Sequence, residues 1–291
     1  MTVINTNTAA TLTANALTKN ERAMSQTMER LSTGSRINSA SDDAAGLAIS
    51  SKMTSQINGL NMAVRNANDG ISMIQTADGA LVEMTGMLQR MRELSVQSAS
   101  DTNTSTDRAA LDLEFEALKA EIERVADNTQ FNGTNLLDSS LTAVFQVGAN
   151  ASQTISVVIE DFNIANADAT SGVFEGLNQS ALGGTTTRDL TALGVDSKSN
   201  ATTAITDLDM AIEHVNTQRA TLGATINRLE YAADNLANVS QNASASRSRI
   251  LDADYASETT ELARTQIIQQ AGTAMLSQAN QQAQSVLALL K

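Results

Sequence analysis

From Met53 onward, apolar residues recur at alternating steps of four and three: Ile57, Leu60, Val64, Ala67, Ile71 and Ile74. The seam then shifts by one residue, through Ala77, and continues as Leu81, Met84, Leu88 and Met91. A period of about 3.5 held for about forty residues predicts a coiled-coil helix. A second helix is read from Leu111, Phe115, Leu118, Ile122 and Val125. A third runs through Ile205, Leu208, Ile212 and Val215, then Leu222, Ile226, Leu229, Ala233 and Leu236, with Arg219 interrupting the seam. Three such seams can bury one another as an elongated helical bundle.

The two ends carry thinner stripes. Leu17, Met24, Met28 and Leu31 mark one helix, and Leu276, Ala279, Ala283, Val286 and Leu290 mark another. A helix of about 40 residues is roughly 60 Å long, too long for one narrow stripe to be buried by a thin monomer. Both ends are therefore expected to be largely disordered in the free subunit. They would become ordered only when copies stack, because fixing each residue costs about 1–2 kcal/mol that burial must offset.

Local chemistry punctuates these helices. Gly34 can end the first. Ser41 can cap the next, with Asp42 and Asp43 at the positive end of its dipole. The polar run 101–106 is a loop, and Asp107 starts the following helix. Asn132-Gly133 is a turn signal. Val144–Val147 and Ile155–Ile159 are β-prone runs around GANASQT and read as a hairpin. From Ala165 to Asn200 the chain is rich in Gly, Ser, Thr, Asn and Asp, a loop-forming surface, and the Ser/Thr-rich region 165–206 is either plainly solvated or glycan-bearing.

Charge sharpens this division. Lys19, Arg22, Arg30 and Arg36 outnumber Glu21 and Glu29 in residues 1–40, whereas Asp252, Asp254, Glu258 and Glu261 outnumber Arg264 and Lys291 in 252–291. The ends are thus weakly and oppositely charged, and the middle carries the net −13 of the chain. Such ends can pack together, and against copies of themselves, with little repulsion. The acidic balance argues against nucleic acid as a partner. The absence of proline favours long helices, and aromatics at 2% against 42% hydrophobic residues suit helix seams better than a deep pocket.

Enzyme chemistry finds no footing. Without cysteine there is no disulfide, zinc–cysteine site or thiol nucleophile. His214 is the one histidine and reads as a solvated helix position. Asp42-Asp43 do not share a helix face, Leu182-Gly183-Gly184 lacks the residues of a phosphate loop, and no nucleophile elbow occurs. No cofactor or metal is expected. No cleavable signal or membrane-spanning run is read either.

Several strings resemble bacterial flagellin: MERLSTGSRINSASDDAAG from Met28, the continuation through Leu81, QRMRELSVQ at 89–97, NGTNLL at 132–137, SRSRILDADY at 246–255, and the C-terminal run from ARTQII. The resemblance covers roughly residues 1–138 and 200–291. It implies a mainly α fold, an elongated coiled-coil helical bundle with a small β-hairpin region. The N- and C-terminal helices, 1–40 and 252–291, would pair as an inner core. Residues 41–138 and 200–251 would form a helical rod, and 139–199 a β-hairpin and variable surface segment.

The resemblance further implies a non-enzymatic subunit of the extracellular flagellar filament, exported unfolded through the flagellar secretion channel. Its partners would be copies of itself, an export chaperone at Leu262 to Leu290, hook-associated and cap proteins, and Toll-like receptor 5 of a host. Arg90, Leu94, Gln97 and Glu114 match the receptor-contacting positions, with assembly contact as their main role. A hook–filament junction protein of the same system is the near alternative, and a signalling coiled coil the more distant one.

Overall fold

The computed structural model describes residues 7–138, 141–163 and 193–288, with side chains to 281. Among these residues are five helices: α1 (Thr8–Thr33), α2 (Ala44–Ser98), α3 (Ser105–Asn128), α4 (Lys198–Leu251) and α5 (Tyr255–Ala288). Four short strands make two antiparallel hairpins, β1 (Gln130–Phe131) with β2 (Thr134–Asn135), and β3 (Leu141–Gln146) with β4 (Thr154–Ile159). The chain divides into two compact units, Met1–Ile57 with Ser240–Lys291, and Asn58–Val239.

In the Asn58–Val239 unit the coiled-coil period is real, but its centre line differs from the expected one. In α2 the buried line runs Ala63, Ala67, Gly70, Ile74, Ala77, Leu81, Met84, Leu88 and Met91, with steps of four and three and no shift. Val64 and Ile71 are only half-buried flanks. In α4 the line is Ala201, Ala204, Leu208, Ala211, Val215, Gln218, Leu222, Thr225 and Leu229, while Ile205, Ile212 and Ile226 flank it. Arg219 does not interrupt this seam. It lies beside it, and its Nε donates to Asp78 Oδ1 on α2 at 2.8 Å. The seam position itself is held by Gln218, whose Nε2 donates to the Val158 carbonyl at 2.8 Å. Small residues take the centre because that line faces the neighbouring element most closely, and larger side chains fit at the margins. From α3, Phe115, Ile122 and Ala126 complete the core, with Leu111, Leu118 and Val125 against it.

The β3–β4 hairpin forms with the register Leu141↔Ile159 to Gln146↔Thr154. Its inner face, including Phe145, Val157 and Ile159, joins the same core. Phe145 lies against the bare backbone of Gly70: a Cβ there would stand 2.9 Å from the ring. Asn66 Nδ2 then donates to the Gln146 carbonyl at 3.1 Å, so α2 fastens β3 as Gln218 of α4 fastens β4. The smaller hairpin turns at Asn132 and Gly133, both with positive φ (49° and 79°), the pairing that a tight two-residue hairpin turn requires.

Helix starts differ in detail from expectation. Asp43, not Ser41, caps α2: its Oδ1 accepts from Gly46 N at 2.8 Å. Asp42 instead gathers the preceding loop, accepting from the backbone N–H groups of Ser39 and Asn38, and these bonds hold its carboxyl below its ordinary range. α3 begins two residues before Asp107, in a capping box. Thr104 Oγ1 accepts from Asp107 N, and Asp107 Oδ2 accepts from the Thr104 hydroxyl at 2.7 Å and from Thr104 N at 2.9 Å; the hydroxyl first and the N–H second lower the Asp107 pKa.

In the unit formed by Met1–Ile57 and Ser240–Lys291, α1 ends as expected at Gly34, which adopts the left-handed conformation at φ 70°. The segment after it pairs with the α4–α5 connection. Arg36 N donates to the Leu251 carbonyl at 2.6 Å and Ala253 N to the Gly34 carbonyl at 3.0 Å. The two connections are thereby tied, and α1 and α5 run side by side in opposite directions.

Candidate assembly interface

The fully buried positions of the α1·α5 pair are polar. Asn20 is buried, and its Nδ2 donates to the Thr265 carbonyl at 2.8 Å and to Gln269 Oε1 at 3.2 Å. Asn7 Nδ2 donates to the Ala279 carbonyl at 3.1 Å while its Oδ1 caps α1 by accepting from Ala10 N. Gln269 Nε2 donates to Glu21 Oε1 at 3.0 Å, and Arg30 pairs with Glu258 at 3.2 Å. Thr27 and Thr265 are buried as well, each hydroxyl donating to a carbonyl one turn back in its own helix. These bonds advance in opposite directions along the two helices and define one antiparallel register.

The expected terminal stripes are only partly found in this seam. Leu17, Met24, Leu31, Leu276 and Ala279 are half-buried. Met28 is a correction, since it is 55% exposed and Thr27 takes the seam position beside it. The side chains of Ala283 and Val286, and all of Leu290, lie outside the described residues. Sequence reasoning missed Asn20, Thr27, Thr265 and Gln269 because it sought apolar positions. The heptad was nonetheless present: Thr13, Leu17, Asn20, Met24, Thr27 and Leu31 follow steps of four and three once polar residues are admitted.

Apolar side chains lie instead at the margins of the pair. Leu12 is 73% exposed, Ile267 66% and Met275 63%, with Ile268 also exposed. Helical spacing combined with the antiparallel register sets Leu12, Ile268 and Met275 on one side of the seam and Met28 on the other. Exposed apolar side chains gathered in this way mark an association surface.

The other expected residues fall on the Asn58–Val239 unit. Arg90 and Glu114 come together: Arg90 Nε donates to Glu114 Oε1 at 2.9 Å and its Nη1 to Glu93 Oε2 at 2.9 Å. This pairing, Glu114 first, raises the Arg90 pKa. Gln97 is exposed. Leu94, by contrast, is buried to 1% exposure in the core and offers no apolar anchor to a partner of the folded subunit. His214 is exposed on α4, at the rim of a groove of about 520 Å³ between β4 and α4. The loop-rich segment expected over 165–200 lies largely outside the described residues. No described helix is long and apolar enough to cross a membrane.

The N-terminal part of the chain, residues 4–142, matches the family described as the bacterial flagellin N-terminal helical region. Residues 205–290 match the bacterial flagellin C-terminal helical region. Over 91% of this chain and 90% of the relative, it is 47% identical to a flagellin of Halalkalibacterium halodurans. It is 43% identical to the flagellar filament 33 kDa core protein of Treponema phagedenis, over 99% of this chain and all of that protein. A putative flagellar hook-associated protein from Vibrio parahaemolyticus shares the fold at a TM-score of 0.57, covering 72% of this chain and 100% of that one, with 12% identity. Two family regions, in order and spanning both helical ends, leave one assignment: this chain belongs to the bacterial flagellin family.

Proposed function

We propose that this chain is the structural subunit that polymerises into the bacterial flagellar filament, and that α1 and α5 provide its principal self-association surface. The observation that carries the second part is the arrangement of α1 and α5. Their mutual seam is satisfied by hydrogen bonds, while Leu12, Ile267, Ile268 and Met275 are left exposed. Membership of the flagellin family makes the role structural, and nothing favours the hook–filament junction alternative.

In this reading residues 1–40 and 252–291 form the inner filament layer, and 41–138 with 200–251 the surrounding rod. The ends are largely disordered in the free subunit and are completed by neighbouring copies. The filament is extracellular, and the chain reaches it unfolded through the flagellar secretion channel. An export chaperone holds Leu262 to Leu290 beforehand, which suits the exposed Ile267, Ile268 and Met275. Hook-associated and cap proteins bound the polymer at its two ends. The chain has no catalytic role. Arg90, Gln97 and Glu114 serve assembly contact first and recognition by Toll-like receptor 5 second; their exposure supports both roles, whereas buried Leu94 serves the core.

Seeded growth of the full chain, followed by negative-stain microscopy, tests the reading. Wild-type subunit should extend seeds into long filaments, and Leu12→Asp combined with Ile268→Asp should stop extension without altering the melt of the Asn58–Val239 unit. Unimpaired growth of that double variant would refute the assignment of the surface.

A further inference from the structure

The only sulfur atoms of this chain are those of its 11 methionines, since cysteine is absent. The fold spreads them from buried to exposed. Met84 and Met91 are fully buried in the α2 seam, while Met28 on α1 and Met275 on α5 are 55% and 63% exposed. Both exposed thioethers stand at the margins of the α1·α5 pair, on opposite sides of its seam. Met62, 47% exposed in the other unit, has Arg65 Nη2 against its sulfur at 2.6 Å.

We propose that Met28 and Met275 are oxidation sites through which peroxide controls self-association of this chain. The inference rests on the assembly reading above. A sulfur lone pair attacks one oxygen of hydrogen peroxide, the O–O bond breaks, and the thioether is oxidised to a sulfoxide as the peroxide is reduced to water. The product replaces a flexible apolar tip by a strongly polar, hydrogen-bond-accepting one. In the separate subunit that change is tolerated, because both tips already face water. On association the S=O group must be buried without a donor, and an unsatisfied polar group opposes burial. Oxidation therefore acts on the polymerisation step and leaves the fold of the subunit intact. The core methionines are shielded by packing, and Met62 belongs to the Asn58–Val239 unit, so among the described exposed thioethers Met28 and Met275 are the two that place a sulfoxide on the α1·α5 pair.

The test uses full-length subunit exposed to a limited dose of hydrogen peroxide, with peptide mass spectrometry, circular dichroism and seeded growth measured on the same sample. The expected result is sulfoxide at Met28 and Met275 well before Met84 and Met91, an unchanged melt, and a several-fold rise in the subunit concentration left unpolymerised. The variant Met28→Leu with Met275→Leu keeps Met62 and the remaining thioethers, and the same dose should leave its growth equal to that of its own untreated sample, whatever that basal growth is. Treatment of the oxidised wild type with methionine sulfoxide reductase should restore growth. Incorporation of subunits oxidised at Met28 and Met275 in proportion to their abundance would overturn the proposal, as would equal loss of growth in the double variant. Failure of untreated wild type to extend seeds would overturn the assembly reading, and this proposal with it.

Discussion

Gly70 allows a test in which two helix glycines respond to the same substitution with opposite sign. Exchanging a helical glycine for alanine normally gains about 0.5–1 kcal/mol, because alanine has less backbone freedom to lose. Gly79 and Gly86 have nothing within 4 Å of an added Cβ, so Gly79→Ala should realise that gain. At Gly70 the same Cβ meets Phe145 Cδ1 at 2.9 Å and two further ring carbons at 3.1 Å. The ring is a stiff plane packed against the core, so hairpin or helix must shift, and overpacking of this kind costs about 1–3 kcal/mol. Subtracting the helix gain leaves Gly70→Ala destabilised by about 1 kcal/mol, set against a comparable stabilisation in Gly79→Ala. At this size each kcal/mol moves the melting temperature by about 2–4 °C. Thermal melts of the full chain, read by circular dichroism, should therefore separate the two variants in opposite directions from wild type. If Gly70→Ala melts as high as Gly79→Ala, the hairpin does not rest on the α2 backbone and the reasoning fails.

Three further outcomes follow from particular bonds. Gln218→Glu sets a carboxylate against the Val158 carbonyl in place of a donated hydrogen bond, and should cost about 3 kcal/mol, measurable as a lowered denaturant midpoint. Asn20→Ala removes the two bonds to α5 and should weaken the pair by about 1 kcal/mol, so in grown filaments, where the ends are ordered, amides of α1 exchange about fivefold faster while those of α3 do not change. Asp107 has its pKa lowered by the Thr104 hydroxyl and backbone, so its contribution is complete above the ordinary carboxylate value near ~4 and is lost as pH falls through the lowered one. The gap in melting temperature between wild type and Asp107→Asn should accordingly close on acidification; a gap that widens would contradict the capping box.

Fold class, the long helices and the β3–β4 hairpin were all legible because periodicity and β-branched runs report them directly. The centre of each seam was not. Val64, Ile71, Ile205 and Ile212 attract attention as the bulkier residues, yet Ala63, Gly70, Ala204 and Ala211 are more deeply buried. Hydropathy ranks side chains by the area they could bury, whereas close approach between elements selects those with least to place there. The apparent shift in the α2 seam and the apparent defect at Arg219 both arise from this. Leu94 shows the same limit at a candidate site: its pattern serves a core and a contact surface equally, and only its 1% exposure separates them. The α1·α5 register was hidden for another reason, since its anchors, Asn20 and Gln269, are residues that a search for apolar stripes discards.

The contrast between the two seams bears on how this subunit can be stable alone and still polymerise. The Asn58–Val239 unit buries Leu, Ile, Met and Phe against one another, and burying each such side chain contributes about 1.5–3 kcal/mol. At its fully buried positions the α1·α5 seam offers Asn20, Thr27 and Thr265 instead, and an intramolecular hydrogen bond yields only about 1 kcal/mol net of the water it replaces. Ordering the helix backbone costs about as much for every residue. Hydrogen bonds can thus select which register the ends adopt, but cannot alone hold helices of 26 and 34 residues in it. Half-buried Leu17, Met24, Leu31 and Leu276 supply part of the missing free energy, and burial of the apolar side chains the pair leaves outside, by a further copy, supplies the rest. Replacing Asn20 by Leu should therefore strengthen the isolated pair while loosening its register. If seeds are then extended as faithfully as by wild type, the register is set by contacts between copies and not by Asn20.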